Sequence, residues 1–93
     1  MTELTGKTVL ITGAGGGFGQ QMTRQFREAG CKLILTDLNE AALRGVVEDA
    51  GNDLLTAVAA DLATAEGCAA IAGTCAAKGI APDVLVNNAG IGL

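Results

Sequence analysis

Ninety-three residues, a formal charge of −4 and only 2% aromatic side chains allow one domain at most, with a thin stability margin and a core of Val, Leu, Ile and Ala. With no Lys/Arg cluster, the composition argues against nucleic acid and gives no support for an anionic membrane surface. Apolar runs such as Val9–Thr12 and Val84–Val86 are far too short to span a bilayer.

The N-terminal segment has no signal-peptide pattern, so a cytoplasmic protein is expected. Histidine is absent. Cys31, Cys68 and Cys75 lack zinc-type spacing, so no metal site is expected, and the three thiols read as small buried residues in a reducing compartment. Cys68 and Cys75, seven apart, would share one helix face.

Lys7–Thr12 reads as a buried first strand, apolar on both faces. Phe18, Met22 and Phe26 recur at i, i+4 and i+8, which predicts the buried stripe of a helix over Gly17–Ala29. Gly30 supplies the left-handed residue that ends it. Lys32–Thr36 is a second strand, closed by Asp37. Asn39 caps a helix over Glu40–Ala50, with Leu43, Val46 and Val47 inward and Gly51 as the stop. Leu54–Ala60 is a third, alanine-rich strand. Thr64 caps a third helix, Ala65–Lys78, which Gly79 ends, and Pro82 leads into a fourth strand, Val84–Val86.

This β-α-β-α-β-α-β alternation has connections too long for hairpins. Parallel strands with right-handed crossovers follow. Strands apolar on both faces need helices on both sides, so the expected fold is an α/β, Rossmann-like doubly wound sheet of order 3-2-1-4, one half-domain over residues 1–93.

Between the first strand and first helix stands Thr12-Gly13-Ala14-Gly15-Gly16-Gly17-Phe18-Gly19. Strand, glycine turn and helix in this order suit a phosphate: Gly13, Gly17 and Gly19 remove side chains where a backbone approaches a diphosphate, and the helix N-terminus offers free N–H groups. The common G-x-G-x-x-G fingerprint does not fit, because its third glycine would fall on Phe18. The spacing Thr12-Gly13-x-x-x-Gly17-x-Gly19 does resemble the T-G-x-x-x-G-x-G cofactor turn of short-chain dehydrogenase/reductases, with Phe18 where that family more often has isoleucine.

Asp37, 24 residues after Gly13, can accept hydrogen bonds from both hydroxyls of an adenosine ribose, and its charge would repel a 2′-phosphate. No basic residue stands at Gly16, and Leu38 rather than arginine follows Asp37. NAD is therefore expected over NADP. The resemblance further implies that Asp61 and Leu62 face the adenine, and that Asn87-Asn88-Ala89-Gly90, matching the family's N-N-A-G motif, brings Asn88, Ala89 and Gly90 close to the cofactor ribose. The expected cofactor-binding set is thus Gly13, Gly17, Phe18, Gly19, Asp37, Leu38, Asp61, Leu62, Asn88, Ala89 and Gly90. Taken alone, Asp61 before Thr64 reads equally as a turn or capping residue.

In that family hydride transfer needs a serine, a further asparagine and a Tyr-x-x-x-Lys motif, all beyond the N-N-A-G segment. This sequence contains neither tyrosine nor serine. The expectation is the NAD(H)-binding N-terminal half of an NAD-dependent oxidoreductase, inactive by itself, whose fourth strand forms a sheet edge and pairs two chains as a two-fold dimer. The competing expectations are a non-catalytic interaction protein that uses the same edge, and a methyltransferase-like nucleotide fold, against which the glycine spacing and N-N-A-G motif both speak.

Overall fold

The computed structural model describes residues 3–88. Its elements are β1 (Thr8–Thr12), α1 (Gly17–Glu28), β2 (Lys32–Asp37), α2 (Glu40–Ala50), a 3-10 turn (Gly51–Asp53), β3 (Leu54–Ala59), α3 (Ala65–Lys78) and β4 (Val84–Asn87). The four strands form one sheet in the order β3-β2-β1-β4. All pairings are parallel, with Leu10 opposite both Ile34 and Leu85, and Thr36 opposite Val58. This is the doubly wound order expected from the element alternation.

Strand alternation divides the apolar residues between two layers. Val9, Ile11, Leu33 and Leu35 point into a fully buried cluster with Leu43 and Val46 of α2, against which Met22, Phe26, Val84 and Val86 pack. Ile34 points the other way, to Ile71 and Cys75 of α3, with Leu10 and Val58 beside them. Helices α1 and α2 thus cover one face and α3 the other. Leu85, on the α3 side of edge strand β4, is 60% exposed.

Local signals explain where the helices begin and end. Asn39 Oδ1 accepts from Ala42 N at 3.0 Å, and Thr64 Oγ1 accepts from Gly67 N at 3.0 Å. Gly79 closes α3 in the left-handed region (φ +67°). Beyond α2 the chain makes a 3-10 turn that the sequence reading did not anticipate. Asp53 in it binds Arg27 of α1 at 3.4 Å and Lys32 of β2 at 3.1 Å, so ion pairs formed across the fold hold this turn.

Two expectations are corrected. Phe18 does not belong to the buried stripe of α1: it is 63% exposed. Met22 and Phe26, one and two turns further along the helix, are the residues of that stripe that pack against the core, while Phe18 stands at the helix N-terminus outside it. Cys68 is exposed rather than buried, since only Cys31 and Cys75 reach the interior. Burial pushes the Cys31 thiol up from its ordinary range, which keeps it protonated and inert.

Candidate nucleotide-binding site

At the C-terminal end of β1 the chain turns on Gly13, whose φ of +62° suits glycine. Ala14 N donates to the Thr36 carbonyl at 3.0 Å, and Gly16 N to the Gly13 carbonyl at 3.2 Å. Helix α1 then starts without a side-chain cap and without an acidic residue in its first turn. The N–H groups of Gly17, Phe18 and Gly19 meet no acceptor among the described residues. Three free donors at the positive end of a helix dipole suit an anion.

The glycines of the turn differ in purpose. A Cβ on Gly17 would meet nothing within 4 Å, whereas one on Gly19 would overlap the Gly13 carbonyl oxygen and sit 2.7 Å from Ala14 Cα. Gly17 keeps the approach to the free N–H groups clear, and Gly19 lets α1 press against its own turn. Gly15, which the sequence reading did not single out, is equally constrained: a Cβ there would lie 2.6 Å from Ala42 Cβ. Its only signal was membership of an unusually long glycine run.

Gly15 also reaches the carboxylate that ends β2. Its N–H donates to Asp37 Oδ2 at 2.8 Å, and Asn39 N donates to Asp37 Oδ1 at 2.8 Å. Each oxygen therefore accepts one main-chain donor and keeps lone pairs for others. The next residue, Leu38, leaves 70% of its surface exposed. After β3, Asp61 Oδ1 accepts from Ala63 N at 2.9 Å, and its carbonyl accepts from Thr64 Oγ1 at 2.9 Å. Asp61 thus has the turn role that its spacing to Thr64 allowed, while Leu62 packs against the α3 layer.

At the end of β4, Asn88 N donates to Thr12 Oγ1 at 2.9 Å, and Thr12 Oγ1 donates to Asn87 Oδ1 at 3.0 Å. These bonds tie the ends of β1 and β4 together. Asn88 Nδ2 is buried with no hydrogen-bond partner among the described residues. Ala89 and Gly90 lie outside the described residues.

The expected residues that are described converge. Gly13, Asp37, Leu38, Asp61 and Leu62 line a cleft of about 730 Å³ across the C-terminal ends of the strands. Gly13, Gly17, Phe18, Gly19 and Asn88 line an adjoining recess of about 290 Å³. Gly13 borders both, so the cleft with its leucine side chains beside carboxylates lies next to the recess that holds the free helix N–H groups. The uncapped helix, the bare glycine backbone and the orphaned Asn88 amide fit a dinucleotide. No cluster of metal-ligating side chains occurs among the described residues, and no helix there is long and apolar enough to cross a membrane.

Comparison with known proteins agrees with this geometry. The chain is 38% identical over 90 residues to galactitol 2-dehydrogenase (L-tagatose-forming) of Cereibacter sphaeroides, a match covering 96% of this chain and 35% of that protein. Among solved structures, 3-ketoacyl-(acyl-carrier-protein) reductase of Brucella melitensis, complexed with NADH, superposes with a TM-score of 0.80 at 35% identity over 89% of this chain and 34% of the reductase. Glucose dehydrogenase of Caenorhabditis elegans in its apo form gives a TM-score of 0.83 at 28% identity, over 98% of this chain and 40% of that one. The chain thus spans about a third of the galactitol dehydrogenase and of the reductase. The model of the short chain dehydrogenase family matches residues 7–93, and this chain belongs to that oxidoreductase family.

Proposed function

We propose that residues 1–93 are the NAD(H)-binding N-terminal half-domain of a short-chain dehydrogenase/reductase, holding the adenosine diphosphate part of the cofactor. The observation that carries this reading is the Asp37 carboxylate, fixed at the cleft rim by Gly15 N–H and Asn39 N–H with lone pairs left for two ribose hydroxyls. A 2′-phosphate there would meet a negative charge, and neither Gly16 nor Leu38 offers it a cation. NAD is therefore favoured over NADP.

The diphosphate would lie on the Gly17–Gly19 N–H groups. Leu38 and Leu62 would flank the adenine, Asp61 would stand near its exocyclic amine, and Asn88 with Ala89 and Gly90 would border the ribose. Bound NAD would supply the hydride acceptor. The chain's own residues bind and orient it, and with neither serine nor tyrosine they provide no phenol acid/base of the Tyr-x-x-x-Lys kind, so these 93 residues alone bind cofactor without turning over substrate. A reducing, cytoplasmic setting belongs to the same reading, supported by three free cysteines.

Titration calorimetry tests it. A charge-assisted hydrogen bond is worth about 1.5–3 kcal/mol, so NAD should bind roughly 10- to 100-fold more tightly than NADP, and Asp37→Ala should erase most of that gap. Equal affinities in the wild type would overturn the cofactor choice. A second reading, a non-catalytic protein that self-associates through β4, is favoured by the exposed Leu85 on that edge strand. Absence of NAD binding with dimerisation intact would select it.

A further inference from the structure

One buried hydrogen-bonding group in the cleft serves neither the fold nor the contacts assigned above. Thr36, the last residue of β2 before Asp37, is 1% exposed, yet its Oγ1 has no partner among the described residues. Thr36 is one of the residues that line the same cleft as Asp37, Leu38, Asp61 and Leu62. Alternation along β2 explains the direction, since Leu33 and Leu35 enter the α1/α2 layer and Thr36 shares the face of Ile34. The main-chain carbonyl of Thr36 is used, accepting from Ala14 N of the glycine turn. The side-chain hydroxyl is not.

Buried polar atoms are almost always paired, and an unpaired one costs stability. Val58 faces Thr36 on β3, and packing alone would favour valine here too, which has the same shape without the hydroxyl. We propose that Thr36 Oγ1 is an adenosine-recognition group: the hydroxyl hydrogen-bonds the adenosine moiety of a nucleotide seated in the cleft. Thr36 is then a specificity-determining residue beside Asp37. The inference rests on the reading of this cleft as a nucleotide site. A hydroxyl both donates and accepts, so it can serve a ring nitrogen or a ribose oxygen, and it stays unpaired until the ligand arrives.

The test compares wild type, Thr36→Val and Thr36→Ser by calorimetric titration with AMP and with NAD, and by thermal unfolding without ligand. Thr36→Val should weaken both ligands by the same factor, about three- to tenfold for a neutral hydrogen bond. Its ligand-free melting temperature should equal or exceed that of wild type, because an unsatisfied hydroxyl has been removed. Thr36→Ser should restore binding to within about twofold. Unchanged AMP affinity in Thr36→Val overturns the proposal, as does a loss of binding accompanied by a lowered melting temperature. Wild type that binds neither AMP nor NAD overturns the nucleotide reading itself, a different result from equal binding by wild type and variant.

Discussion

Gly17 and Gly19, two residues apart, illustrate how one residue type serves two purposes. The space around Gly17 is open, while Gly19 faces the Gly13 carbonyl and Ala14 Cα. An added methyl group at Gly19 must push backbone rather than a mobile side chain, and overpacking of this kind costs about 1–3 kcal/mol. Gly19→Ala should therefore lower the urea midpoint by an amount in that range. Gly17→Ala should leave the midpoint unchanged or raised, since alanine is the better helix former by up to ~1 kcal/mol, while weakening NAD. Gly19→Ala unfolding at the wild-type midpoint would show that α1 can move off its turn.

At the scale of elements, the ion-pair group around the 3-10 turn links pieces that are distant in sequence. The Lys32 ammonium, hydrogen-bonded to Asp53 and helped by Arg27, holds the Asp53 carboxyl below its ordinary value. A carboxylate depressed by folding stabilises the native state above its unfolded-state pKa, and that contribution fades as pH falls through the folded value. The melting temperature of Asp53→Asn should therefore lie below that of wild type at pH 7, and the difference should close below about pH 4. A difference that persists at low pH would trace the effect to packing instead. Both partners are substantially exposed, so the gap should also shrink at high salt.

Across the whole molecule the sheet is unevenly covered. β2 and β1 are flanked on both sides, but β4 is an edge strand and Leu85 lies open on its α3 face. An exposed parallel edge carrying apolar side chains is a template for pairing. The 93-residue polypeptide should sediment as a dimer at tens of micromolar, an order-of-magnitude choice for association of this kind, and Leu85→Lys should shift it towards monomer. A well-folded wild-type monomer at that concentration would rule out the edge as a contact.

Element order, the helix caps at Asn39 and Thr64, the sheet order and the family were all legible in the sequence. Each is written in local chemistry: apolar periodicity, capping side chains, and glycines at fixed spacing. Only the tertiary structure decided how those local signals are used. It put Phe18 in the open at the N-terminus of α1, although its spacing matched the stripe that Met22 and Phe26 bury. It brought Gly15 to Asp37 and Arg27 and Lys32 to Asp53, contacts between residues more than 20 positions apart that no periodicity encodes. It also separated Gly17, bare for a ligand, from Gly19, bare for its own turn, and it left the Thr36 hydroxyl unpaired in the cleft. A local pattern specifies which conformation a segment takes. What each side chain then faces is set by the crossing of elements that are distant in the chain.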